Sequence, residues 1–338
     1  MRKFLYWLLS RPLRWMADRM SAAPKKANVE KSLSDLYGSK AGKKKRLTVI
    51  DTNLHEDRFI IFSDQHKGNR SGADDFSPCE KNYIAALDHY NSNAYTFISL
   101  GDSEELWKFK APEIITANAM ALKAEAAFQP KRYYRTFGNH DIMWKNTLDV
   151  MLHLKNVFRS PMPVYEGIVL RNKTGQDLPD VFLTHGHQGD LMSDNNAFST
   201  WVVAHLWMPL QRYLRINVNS PSTSYGLRNA HNKMMHEWSS RQQDMILITG
   251  HTHQPVFASG KYFDHPSNNI PTVEPREMVK PSYFNSGCCC FSDGDITGIE
   301  IADGMIRLVK WYDEEVGSKR MVLEEIKLTD LFIDLQST

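Results

Sequence analysis

The chain has 338 residues, 42% hydrophobic and 24% charged, which suits one large domain with extensions or two small ones around a buried core. Its net charge of +2 hides an asymmetry: residues 1–46 carry 13 Lys/Arg against Asp18, Glu30 and Asp35, a net +10, which leaves −8 for the rest. A basic arm on an acidic body is not the footprint of a nucleic-acid-binding domain, whose folded module is itself basic, so no nucleic-acid partner is expected.

The N-terminus opens Met1-Arg2-Lys3 and continues as the apolar run Phe4 to Leu9. That run is too short for a signal-peptide core or a bilayer span. On a helix, Leu5, Leu8, Leu9, Leu13, Met16 and Met20 share one broad face, with Arg11, Arg14 and Asp18 opposite and Trp7 and Trp15 suited to a headgroup boundary. The pattern reads as an interfacial anchor, residues 1–20, on an anionic membrane surface. A helix packed on the body or in a dimer contact is the alternative. Residues 21–46, rich in Ala, Lys, Ser and Gly, read as a tether with a short helix at Val29 to Tyr37. The expected organisation is therefore a basic extension, 1–46, followed by one domain, 47–338. The expected location is the cytoplasm, at the inner face of a membrane.

From Leu47 strand and helix alternate. Phe59 to Phe62, Tyr95 to Leu100, Tyr133 to Phe137, Val181 to Thr184 and Met245 to Thr249 read as buried strands. Tyr83 to Tyr90, Glu113 to Phe128 behind Pro112, and Ile142 to Leu154 read as helices. The last third is β-rich: Tyr283-Phe284, Ile296 to Ile301 and Met305 to Tyr312, with Asp303-Gly304 as a hairpin turn. Alternation followed by antiparallel strands predicts an α/β fold, a two-sheet β-sandwich flanked by helices. Residues 190–244 are long for a connection. They contain an apolar stretch, Ala197 to Tyr213 with Trp201, and a second helical pattern, Asn229 to Gln242. They read as a helical cap insertion, with an extra core helix pair as the alternative.

Chemistry-bearing residues follow the strands. Asp64 and His66 come after the first, Gly101-Asp102 after the second, and Gly138-Asn139-His140-Asp141 after the third. His185 and His187 follow the fourth, and Gly250-His251-Thr252-His253 the fifth. Two divalent ions held about 3.5–4 Å apart need a bridging carboxylate, and Asp102 is the candidate. The mixed oxygen and nitrogen donors suit Mn, Fe, Co or Zn better than Mg alone. The cysteines, Cys79 and the run Cys288-Cys289-Cys290, lack metal-type spacing. Neighbours in such a run do not readily pair, reduced thiols are expected, and redox chemistry at Cys288 stays open.

Taken in order, these motifs resemble the calcineurin-like metallophosphoesterase superfamily, over roughly Phe59 to the C-terminus. The resemblance implies two ions, with Mn first in order, one on Asp64, His66, Asp102 and His253 and the other on Asp102, Asn139, His185 and His251. It implies that His140 serves the leaving oxygen while Asn139 also serves catalysis. Glu105, His187 and, in the insertion, Trp201 are then expected to contact substrate. Within the superfamily, Gly101-Asp102 with Glu105, the His185 loop running to Gly189-Asp190 and the helical insertion resemble the UDP-2,3-diacylglucosamine pyrophosphohydrolase branch. The expected function is hydrolysis of a phosphoester or pyrophosphate in a lipid-linked or nucleotide-sugar-lipid substrate at a membrane surface. A soluble phosphoprotein phosphatase or nucleotide phosphodiesterase is the alternative, and a non-catalytic scaffold a further one.

Overall fold

Phe59-Ile60-Ile61-Phe62 is apolar at every position, the mark of a strand covered on both faces. The computed structural model describes residues 25–39, 47–158, 162–173, 178–189, 225–242, 244–259 and 281–336. In chain order its strands are β1 (Leu47–Thr52), β2 (Phe59–Phe62), β3 (Thr96–Leu100), β4 (Tyr133–Thr136), β5 (Val164–Tyr165), β6 (Gly167–Asn172), β7 (Asp180–Thr184), β8 (Met245–Thr249), β9 (Tyr283–Asn285), β10 (Ile296–Ala302), β11 (Met305–Glu314) and β12 (Gly317–Lys327). The helices are α1 (Lys26–Gly38), α2 (Glu80–Ser92), α3 (Ala111–Ala117), α4 (Ala119–Ala126), α5 (Thr147–Leu154), α6 (Tyr225–Ser239) and α7 (Leu328–Gln336).

Two sheets form, in the orders β1-β6-β7-β8-β9 and β12-β11-β10-β2-β3-β4-β5. Strands β2, β3 and β4 run parallel in the second, and β7 and β8 run parallel in the first. The period-two geometry of a strand divides their side chains between layers. Phe59, Ile61, Ile98 and Leu100 meet Ile168, Leu183, Ile246 and Ile248 in the core between the sheets. Ile60, Phe62 and Phe97 face the outer layer built by α2 and α4. Val169, Phe182 and Leu247 face α1 and α6 on the other side. The expected sandwich of two sheets flanked by helices is the fold found.

Several expectations change in detail. The helix expected over Glu113 to Phe128 is two helices meeting at Asn118, whose amide donates to Gly68 O at 2.7 Å and Ile114 O at 2.8 Å. The helix expected over Ile142 to Leu154 divides at Asn146, where a 3-10 turn ends and the extended Asn146 caps α5 by accepting from Leu148 N at 3.0 Å. Inside the region read as tether, α1 buries Val29, Leu33 and Leu36 against Phe182, Met235 and Trp238. Trp238 Nε1 donates to Ser34 Oγ at 2.9 Å. Residues 26–38 therefore belong to the folded body. The i, i+4, i+7 spacing of these three apolar side chains is the cause. Residues 1–24 and 190–224, with Trp201, lie outside the described residues. The described part of the expected cap, α6, packs on the first sheet as a core helix through Met235 and Trp238.

Candidate metal centre

Five loops leave the carboxyl ends of β2, β3, β4, β7 and β8 and converge on one edge of the sandwich. The backbone turns sharply there. Asp64, His66, Asp102, His251 and His253 all have positive φ, between 50° and 68°. A non-glycine residue in this region is uncommon and is held only where surrounding contacts over-determine it. Asp64 and His66 thus do not share a side by continuing an extended strand; each is aimed by its own left-handed turn. Close approach makes two glycines indispensable. A Cβ at Gly138 would lie 2.2 Å from Asp102 Oδ1, and one at Gly250 would lie 2.4 Å from Asp64 Oδ2.

The seven side chains expected as ligands are all brought together. His253 Nε2 is 3.2 Å from Asp64 Oδ1 and 3.1 Å from His66 Nε2. His66 Nε2 is 3.7 Å from Asp102 Oδ2, and that same oxygen is 3.2 Å from His185 Nε2. His185 Nε2 is also 3.2 Å from Asn139 Oδ1. Ligand atoms of Asp102, His185 and His251 lie within 4.8 Å of one another. Asp102 therefore stands between two nests of donors.

The donor set fits divalent cations. His251 Nε2 is buried and has no hydrogen-bond partner, a costly condition for a polar atom unless something charged completes it, while buried Asp64 Oδ1 faces the rings of His253 at 3.2 Å and His66 at 3.8 Å. In addition, the Nδ1 atoms of His66 and His253 face acceptors, which leaves their two Nε2 atoms facing each other 3.1 Å apart. A shared cation removes that repulsion. Without one, protons substitute. Burial works against charging His185, yet Asp102 and Asp64 push it up to about 9. Burial likewise opposes charge on His253, which Cys290 and Asp64 push up to about 9. Burial would raise the Asp64 carboxyl, but the His185 and His253 rings hold it well below the usual range.

Glu105 is only 2% exposed. Its Oε2 lies 3.2 Å from His66 Nδ1 and its Oε1 lies 2.8 Å from His140 Nδ1. Both oxygens face imidazoles, so the carboxylate ties a ligand to the neighbouring His140. His187 is buried too, at 3% exposure. Burial, then the His185 charge, pushes it down to about 3, and its ring packs beside that of His185 with centroids 5.3 Å apart.

Sequence reasoning missed several supports. Trp107 stacks on His140 with ring centroids 3.8 Å apart; its place five residues after Asp102 was the available signal. Asp141, which directly precedes the 3-10 turn at Ile142–Lys145, makes no side-chain cap there. It accepts from Gly138 N at 2.6 Å, Asp102 N at 3.3 Å and Ser103 N at 2.9 Å, and so pins the bridging loop. Behind it, buried Arg135 pairs with Glu104 and Asp141, and buried Lys67 with Glu125 at 2.7 Å. From α6, His231 donates to Gly186 O and packs its ring 5.1 Å from that of His251. The thiol beside the centre belongs to Cys290, not to the buried Cys288.

The sequence pattern of the calcineurin-like phosphoesterases matches residues 57–255, which takes in all five loops. The chain belongs to the calcineurin-like phosphoesterase family. As a calcineurin-like phosphoesterase it is a metal-dependent hydrolase of phosphoesters, in a family that works with two divalent ions. Solved structures similar to it include vacuolar protein sorting 29 from Cryptosporidium parvum, with 12% identity over 80% of this chain and 98% of that one and a TM-score of 0.35. A single mutant of Vps29 from Entamoeba histolytica shares 13% identity over 80% and 98% at a TM-score of 0.32. A dimetal phosphatase from Danio rerio shares 8% over 79% and 99% at 0.38. No curated protein matches the sequence.

Proposed function

We propose that this calcineurin-like phosphoesterase cleaves a phosphoester or pyrophosphate bond in a lipid-linked or nucleotide-sugar-lipid substrate, at the cytoplasmic face of a membrane. The observation that carries the hydrolytic part is the pair of donor nests sharing Asp102, with the buried His251 Nε2 left unpartnered. Asp64, His66, Asp102 and His253 would hold one cation and Asp102, Asn139, His185 and His251 the other, the mixed donors suiting Mn, Fe, Co or Zn. Such ions, when bound, polarise the phosphoryl oxygens and lower the pKa of water.

The chain's own residues supply the rest. Glu105 accepts from His140 Nδ1, which places Nε2 on the opposite edge of the ring. Trp107 covers one face of that ring and excludes water from it. His140 is then positioned to hand a proton from Nε2 to the departing oxygen, a contribution of about 10²–10⁴-fold in comparable sites. Asp141 keeps the Asp102 and Asn139 loops in register.

Two features support a lipid-linked substrate. Residues 4–20 carry the Arg/Trp/Leu pattern of an interfacial helix. On α5, just beyond the His140 loop, Leu148, Met151 and Leu152 are exposed. Among the described residues no helix is long and apolar enough to cross a membrane. The test is a turnover screen of Mn-loaded protein on phosphomonoesters, diesters and nucleotide-linked lipids. It is paired with sedimentation on anionic vesicles, for the full chain and for a variant lacking residues 1–24, which spares α1. Lipid turnover with vesicle binding that depends on residues 1–24 is expected. Turnover confined to water-soluble substrates, with no vesicle binding, would overturn the reading.

A further inference from the structure

A histidine that ligates a metal must be neutral, with its proton on the nitrogen away from the ion, and the group accepting that proton fixes the tautomer. In this centre His66 Nδ1 faces the Glu105 carboxylate at 3.2 Å, and His185 Nδ1 donates to the Leu100 carbonyl at 2.9 Å. The partner of His253 differs in kind. Its Nδ1 lies 3.6 Å from Cys290 Sγ, while its Nε2 points at Asp64 Oδ1, 3.2 Å away.

The loop that carries Cys290 is fastened from both sides. Cys289 N donates to Asp64 O at 3.2 Å, and Thr297 N donates to Cys288 O at 3.0 Å. Cys289 turns its side chain the other way, into the core under α2. The sulfur is therefore held against the imidazole by the same backbone that fixes Asp64.

We propose that Cys290 is a positioning residue of the metal centre, its sulfur accepting the His253 Nδ1 hydrogen so that the Nε2 lone pair faces the cation. This rests on the assignment of His253 as a ligand. Sulfur is a weaker acceptor than the carboxylate or carbonyl used by His66 and His185, so His253 is tied more loosely than either. Direct ligation by Cys290 is the competing arrangement, since Cys290 Sγ lies within 4.8 Å of ligand atoms of both His66 and His253.

The experiment titrates metal-free wild type, Cys290→Ala, Cys290→Ser and His253→Ala with Mn²⁺ by calorimetry. Thermal unfolding of each metal-free form accompanies it, as does an absorption spectrum of the Co²⁺-loaded wild type. Wild type should bind two ions. Cys290→Ala should bind one of them about 10–100-fold more weakly, with Cys290→Ser recovering most of the loss and unfolding temperatures unchanged. Undiminished affinity in Cys290→Ala, or equal loss in Cys290→Ser, would overturn the inference. So would a thiolate-to-cobalt charge-transfer band, which would make Cys290 a ligand. If His253→Ala keeps both ions at full affinity, or wild type binds none, the ligand assignment itself falls.

Discussion

Raising the pH from about 6.5 to about 8 should destabilise the metal-free protein, and the centre fixes how much. His185 and His253 are each pushed up to about 9 by the carboxylates and sulfur around them, against an ordinary histidine value of about 6.5. A folded-state pKa above the unfolded one contributes stability that is complete below the unfolded value and is lost as pH climbs through the folded one. At about 1.36 kcal/mol per pKa unit, each group contributes about 3 kcal/mol at pH 6.5 and about half that at pH 8. Together the two give up about 3 kcal/mol, on the order of 5 °C in Tm for a chain of this size. His66, also raised, acts in the same direction. Opposing groups weigh less: His187 and His231, pushed down chiefly by burial to about 3 and about 4, and His251, also pushed down chiefly by burial, each regain only about 0.4 kcal/mol over this window, because most of their loss comes as pH falls below 6.5. The buried thiols, pushed up chiefly by burial or thiol contact, matter only above about 8.5. Calorimetric unfolding in EDTA at three pH values across this range reads the effect. With Mn²⁺ the fall should flatten or reverse, because ligand nitrogens must be deprotonated to bind. A Tm in EDTA that stays level or rises from 6.5 to 8 would refute the reasoning.

Asp102→Asn should abolish turnover and lower the bound Mn²⁺ below two per chain by elemental analysis, whereas His140→Ala should keep both ions and slow kcat by about 10²–10⁴-fold. Metal loss in the latter would reassign His140 as a ligand. Glu105→Gln leaves one of two imidazoles facing an amide NH₂ instead of an acceptor, so kcat and Mn²⁺ affinity should both fall, the affinity about tenfold or more; a change in KM alone would assign Glu105 a substrate contact instead. Gly138→Ala places a Cβ against Asp102 Oδ1 and should cost about 1–3 kcal/mol of stability together with metal. Wild-type values for that variant would mean that the Asp102 loop moves freely.

The strands that carry the site are legible because most are short, mainly apolar runs followed by glycine or a polar residue; Phe59–Phe62 and Met245–Thr249 match to the residue, while β4 carries the buried Arg135 within its run. β1, β6 and β12 were not found. In β12 exposed and half-buried positions mix without a clean alternation, and in β1 four of six positions are partly or fully exposed. The seven ligand positions were legible as ordered motifs, since strand ends need only one or two residues to place a ligand. What the sequence could not show is where second partners come from. Glu105 looks like an ordinary acid at a turn until His66 and His140 arrive on either side. Cys290 lies 37 residues from His253 in the chain and touches it only once β8 and β9 are paired. In 26–38 the tether-like composition masks three apolar side chains whose partner, Trp238, lies more than 200 residues on.

Asp64, His66, Asp102 and Asn139 hang from the seven-stranded sheet, His185, His251 and His253 from the five-stranded one. Each nest draws on both, so any ion seated there acts as a rivet through the sandwich. Occupancy at 100 times the dissociation constant adds about 2.7 kcal/mol to the folded state, and that gain resists the sliding or parting of the two layers. Chelation should accordingly loosen amide protection along the seam where Ile61 and Leu100 meet Leu183 and Ile248.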